Sequence, residues 1–194
     1  MSSAPAFYPI TLDIAPPAPQ SRLTVFFRIL MVIPHEIILY FLQIAGQVIT
    51  LIAWFAILFT GKYPAGMYGF VVGYLRWSTR VGAYSALLTG VYPPFALDEA
   101  VAYPVRVGVQ PQLEGRNRLT VFFRLLMVIP HVIVLALVSI VAALALIAGW
   151  FVALFTGIVP EGIHNFVAGV SRWSVRVNGY ALLLTDEYPP FSMS

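Results

Sequence analysis

Two histidines and four arginines are the side chains whose types and spacing offer chemistry. His35 and His131 stand 96 residues apart in the same setting, RLTVFFRILMVIPH over Arg22–His35 and RLTVFFRLLMVIPH over Arg118–His131. Imidazoles facing each other across a twofold axis would ligate a haem iron or a metal. At two helix starts they would instead hydrogen-bond backbone groups freed by the neighbouring prolines. No acidic second ligand recurs, because Glu36 is matched by Val132 and His164 by Tyr68, so the capping role is the stronger reading and no cofactor is expected. The arginines form i, i+4 pairs, Arg76/Arg80 and Arg172/Arg176. Two guanidinium groups on one helix face make a fork for a phosphate or carboxylate, and Gly69, Gly73 and Ala83 beside them let a ligand or a backbone approach. The same pairs would equally anchor their helices on lipid phosphates or on helix-end carbonyls. No acid–base carboxylate pair recurs, since Asp13 is matched by Gly108 and Asp186-Glu187 by Gly90-Val91, and no serine or threonine has a matching histidine–acid set. An enzyme is not expected.

The elements that must position these groups come from a duplication. The register of 96 holds without insertion through Trp54/Trp150, Phe59-Thr60-Gly61/Phe155-Thr156-Gly157, Arg76-Trp77-Ser78/Arg172-Trp173-Ser174 and Tyr92-Pro93-Pro94-Phe95/Tyr188-Pro189-Pro190-Phe191. About 40 of 74 paired positions are identical, so the fold is argued per repeat. The chain divides into an N-terminal strand and Pro-rich connector (1–21), a membrane repeat (22–95), a connector with a strand (96–117), a second membrane repeat (118–191) and a tail (192–194).

Composition places those repeats in a membrane. Hydrophobic residues make up 60% and charged residues 10%, with a mean hydropathy of +0.86, whereas soluble domains carry about 25% charged residues. The runs Ile37–Phe59 and Val132–Phe155 carry no charge and are long enough to cross about 30 Å of hydrocarbon. The first residues lack a basic stretch followed by an apolar core, so no cleavable signal is expected and the first span would direct insertion. The absence of cysteine excludes disulfides and thiolate sites. Net charge is +3, and the basic residues gather at repeat-paired positions and in the connector, a pattern suited to anionic lipid headgroups and not to nucleic acid.

Within each repeat, Tyr8–Ile14 and Tyr103–Val109 alternate as strands do. RLTVFFR(I/L)LMVI then reads as an interfacial helix that bends at Pro34 or Pro130 into the true span, with Arg22, Arg28, Arg118 and Arg124 snorkelling to headgroups. A turn at Thr60-Gly61 or Thr156-Gly157 leads to segments 66–89 and 162–185. Each of these either lies in the interface or crosses with its arginine face turned inward. Near-identical basic flanks on both repeats favour an even number of crossings per repeat. The expected fold is therefore an all-α membrane protein with four transmembrane segments in parallel repeats, short strands opening each repeat, and both termini and the connector cytoplasmic. Trp54, Trp77, Trp150 and Trp173 are expected in an interfacial aromatic belt.

The tandem motifs RLTVFFRxLMVIPH, FTGxxPxG, FVxGxxRWSxRV and YPPF resemble a bacterial membrane-protein family known only as a domain of unknown function, frequent in actinobacteria. The resemblance covers Tyr8 to Phe191 and implies bacterial inner-membrane residence and a duplicated unit, but no reaction. The leading expectation is a non-enzymatic accessory subunit of a membrane complex or a lipid-organising scaffold. Its partners would be anionic lipids and other membrane subunits. The alternatives are a transporter or anion-binding protein with a site between the repeats, where duplicated folds place theirs, and a haem or metal protein using His35 and His131.

Overall fold

The computed structural model describes residues 8–100 and 102–194. The elements run β1 (Ile10–Ile14), α1 (Arg22–Thr60), α2 (Ala65–Ser85), β2 (Val105–Val109), α3 (Arg118–Phe122), α4 (Arg124–Thr156) and α5 (Glu161–Ala181). The start of the N-terminal segment, residues 1–7, lies outside the described residues.

The long helices end where glycine lets them. Gly61 and Gly157 take left-handed φ values of 72° and 82°, and their amides bond back to the Ile57 and Ala153 carbonyls. Prolines 64 and 160 then precede α2 and α5. The expected bend at the Pro-His corner is absent: α1 runs unbroken through Pro34, and α4 through Pro130. Pro34 removes one backbone hydrogen bond on an exposed face. The opposite face buries Val32, His35 and Leu39, and that packing keeps the helix continuous. Repeat 2 does break, but at Phe123 (φ −87°, ψ 8°), between α3 and α4.

Among the described residues two helices, not four, are long and apolar enough to cross a membrane: α1 and α4, of which only 17% and 11% of the most apolar stretch is buried. The other two, α2 and α5, are packed on several sides and expose no large apolar side chain. Val71, Trp77 and Val81 of α2 are buried, and so is Arg80, so the part of the helix that carries this arginine is packed inside the molecule as well. That is why these helices can carry arginine: its partners lie inside the molecule.

The repeats are not parallel. Trp54 Nε1 donates to the Val121 carbonyl (2.9 Å) and Trp150 Nε1 to that of Val25 (3.0 Å). The Gln20 amide bonds the Gly157 carbonyl, and the Arg116 amide that of Gly61. Each long helix thus ends at the start of the other, so α1 and α4 run antiparallel and their basic flanks lie at opposite ends. The two strands pair antiparallel, with Leu12 opposite Val107. Because Leu12 and Val107 are equivalent in the two repeats, the pseudo-twofold axis passes through that pair.

The ribbon packs on α2 and α5 and touches neither long helix. Its contacts are exchanged between repeats. Strand β1 lies on α5, where Ile10 fills the space at Gly179 and Arg172 Nε donates to the Leu12 carbonyl (3.3 Å). Strand β2 lies on α2, where Arg76 Nε donates to Val107 (3.4 Å).

Candidate functional site

Arg28 and Arg124 are buried charges, at 2% and 1% exposure. Helices α2 and α5 end in a turn whose Leu87 and Leu183 adopt φ values of 59° and 62°, in the left-handed region disfavoured for leucine. That turn points carbonyls back at the arginine. Arg28 Nη1 donates to the Tyr84 (2.6 Å) and Thr89 (2.9 Å) carbonyls, and Arg124 Nη1 to those of Tyr180 (3.2 Å) and Thr185 (2.7 Å). The guanidinium groups also lie over the Tyr84 and Tyr180 rings, 4.3 and 3.8 Å from the centroids. Snorkelling was expected of these two residues. They turn inward instead, because helix-end carbonyls left without intrahelical partners need donors.

The last donor differs between repeats. Arg28 Nη2 bonds Gln20 Oε1 (2.6 Å). Arg124 Nη2 bonds Asp186 Oδ1 (2.8 Å), which also accepts from Arg116 Nη2 (2.7 Å), while Asp186 Oδ2 accepts from the Asn117 amide (2.8 Å). Positions 20 and 116 are equivalent, as are 90 and 186. One repeat has Gln20 packed against Gly90, and the other an ion pair. Burial pushes the Asp186 carboxyl upward, but the Arg116 hydrogen bonds, the Asn117 amide and the charge of Arg124 outweigh it and hold the group below its ordinary value. Gln20, Arg116 and Asp186 were not singled out from sequence. The signal was there in two positions that change together between otherwise matching copies.

His35 and His131 are fully buried, and each is enclosed by its own repeat. The Trp77 and Trp173 indoles donate to Nδ1 at 3.1 Å, and the Phe95 and Phe191 rings stack at 3.8 and 3.9 Å. With Val25 level with Trp150 and Trp54 with Val121, His35 stands level with Ile140, about 13 Å along the axis from His131 at 1.5 Å per residue. The geometry that a shared haem or metal would need is not formed. No group of three metal-ligating side chains occurs among the described residues. Trp77 and Trp173 are 5% and 4% exposed and serve these histidines, and Trp54 and Trp150 clasp the opposite repeat, so the four do not form a lipid-facing belt.

The paired arginines hold backbone. Arg80 donates to the Asp98 (2.9 Å) and Ala96 carbonyls, and Arg176 to Ser192. The segment after Tyr-Pro-Pro-Phe is thereby strapped along its helix, at Gly73 or Gly169, where an added Cβ would stand 2.9 Å from Leu97 Cβ or Met193 Cβ. Arg76 and Arg172 reach the ribbon, and Arg76 also pairs with Glu99 at 3.3 Å. Of the eight arginines proposed for headgroups, Arg22 and Arg118 are exposed, and each lies near the glycine that ends the other repeat's long helix. Tyr68 and His164, unlike in chemistry, do the same work: each reaches a carbonyl across the repeats, Leu184 (3.3 Å) and Leu88 (3.2 Å). A cavity of about 630 Å³ opens between the repeats, bordered by Gln43, Gln47, Thr50, Ser78 and Asn178; neither arginine pair lines it.

The interleaved repeats match one description twice, over residues 22–96 and 118–193: domain of unknown function, DUF4389. The chain belongs to the DUF4389 family. Each DUF4389 unit begins at Arg22 or Arg118 and closes just past Tyr-Pro-Pro-Phe, so the unit takes in the buried arginine and the histidine with its Trp and Phe partners but leaves out the strand. No curated protein and no solved structure matches the chain.

Proposed function

We infer that this chain is a non-enzymatic membrane protein of the bacterial inner membrane, acting as an accessory subunit of a larger complex or as a lipid-organising scaffold. One observation carries the reading. The large exposed apolar side chains belong to α1, α3 and α4 and to the short stretches leaving the helices, while the buried arginines Arg28, Arg80, Arg124 and Arg176 all donate to the protein's own backbone carbonyls. Such a molecule has lipid on its outside and fastenings inside, with a small exposed polar surface for partners. Purification from native membranes in mild detergent, followed by identification of bound proteins and lipids, tests it. A stoichiometric set of membrane subunits or a retained layer of anionic lipid is the expected result. A chain that stays in the aqueous fraction without detergent would defeat the reading.

The transporter alternative keeps one support, the cavity between the repeats, whose border carries Gln43, Gln47, Thr50, Ser78 and Asn178 together with Arg124. Its anion fork does not, since the arginine pairs that would form one are engaged with carbonyls. Arg22 and Arg118 remain as the groups for anionic headgroups.

A further inference from the structure

Resting on the membrane reading above, we propose that the two long helices do not cross the bilayer but lie along a single leaflet. The pseudo-twofold axis then stands along the membrane normal and the β-ribbon faces water. Three observations lead there. Leu23, Leu30, Ile37, Ile44, Leu51 and Phe59 recur at intervals of seven or eight residues down one side of α1, all exposed, and their equivalents Leu119, Leu126, Ile133, Ile140, Ile147 and Phe155 do the same on α3 and α4. Each stripe extends about 54 Å at 1.5 Å per residue, against a hydrocarbon core of about 30 Å. A crossing would need a tilt of about 56°, beyond the range of about 0–40° that spanning helices show.

The second observation is the place of the symmetry axis. Helices α1 and α4 are antiparallel, and the axis relating them passes through Leu12 and Val107. If the helices crossed, that axis would lie in the membrane plane and the ribbon would sit at mid-depth. Its outer face carries Thr11, Asp13 and Arg106, all exposed, with the Arg76–Glu99 pair beside it. Unshielded charges there cost about 2.5–3.5 kcal/mol each on insertion scales. Turning the axis along the normal removes the cost, because the ribbon then forms the pole away from lipid.

The third is consistency among the flanks. Antiparallel crossing helices would put Arg22 and Arg118 on opposite sides of the membrane, against the tendency of basic flanks to stay on one side. In the in-plane pose both lie at the rim of one face, level with headgroups, as do Lys62 and Glu114, which are paired at 2.8 Å at the far end of α1.

The chain has no cysteine, so single cysteines report cleanly. Ser21→Cys and Lys62→Cys flank α1, and Asp13→Cys marks the ribbon; all three positions are exposed. Each variant is treated with a membrane-impermeant maleimide in intact cells and in inverted membrane vesicles. All three are expected to label in one preparation and not in the other. Labelling of Ser21→Cys and Lys62→Cys in opposite preparations would overturn the in-plane pose while leaving the protein in the membrane. Recovery of the chain in the aqueous fraction of lysed cells, with none in the membrane pellet, would instead sink the membrane reading itself. Spin labels at Leu30→Cys, Ile44→Cys and Phe59→Cys give a second readout. Equal immersion depths support the pose, and a graded series with one label near mid-bilayer overturns it.

Discussion

A guanidinium buried against helix-end carbonyls is the most informative residue-scale feature, because the two repeats complete it differently. Gln20 serves Arg28, with Gly90 leaving it room, whereas Asp186 serves Arg124 and Arg116 together. The second arrangement is charge-dependent and the first is not. Asp186 has its folded-state value depressed, so its contribution is fully present above the unfolded value of about 3.9 and is lost as pH falls through the folded one. Asp186→Asn should cost about 3 kcal/mol near neutral pH, because it leaves two buried cations short of their counter-charge, and should flatten the acid limb of stability below about pH 4. Thermal unfolding in detergent across that window checks both. The double variant Arg116→Gln/Asp186→Gly rebuilds the pairing of repeat 1 and should cost less than Asp186→Asn alone. A larger, additive loss would show that the two positions are not coupled. Sequence alone did not expose this, since it flagged arginines by their repetition and Gln20, Arg116 and Asp186 do not repeat.

At the scale of elements, the hydropathy of α1 and α4 and the alternation of the strands were legible, because lipid and a half-buried ribbon each impose a period on single residues. The strands pair with each other. The Pro-His corner was misread: local preference places a bend before proline, whereas packing of Val32, His35 and Leu39 on one face carries the helix through. Pro34→Ala should therefore be tolerated, with unfolding temperature kept or raised by the equivalent of up to about 3 kcal/mol, since the helix regains a hydrogen bond and loses a ring clash. A clear drop in calorimetric midpoint would restore the bent-helix reading. The arginine helices were ambiguous for a physical reason as well. A buried arginine on a carbonyl and one on a lipid phosphate demand the same side chain, and only the return of the chain along its own helix after Tyr-Pro-Pro-Phe, which brings the Asp98 and Ser192 carbonyls to Arg80 and Arg176, decides between them.

For the whole molecule, the duplication was read correctly, but the sense in which the copies face each other was not. Identical flanks fit a parallel pair in one membrane orientation and an antiparallel pair around a perpendicular axis equally well, and the difference lies in contacts more than 100 residues apart, such as Trp150 to Val25. The exchange of strands has a consequence for stoichiometry. A chain of one copy, covering Tyr8 to Asp98, would carry a β1 with no α5 to lie on and a Trp54 with no Val121 to clasp. Its missing surfaces are those that another molecule of itself could supply, because Trp54 answers to Val121 as Trp150 does to Val25. Such a half-length chain should be found as a twofold homodimer and not as a folded monomer, with its melting temperature rising with protein concentration in detergent. Joining the copies in one polypeptide turns a bimolecular association into an intramolecular one, so folding of the full chain is independent of concentration and each half is free to drift, as Gln20 and Arg116 have, without having to match itself.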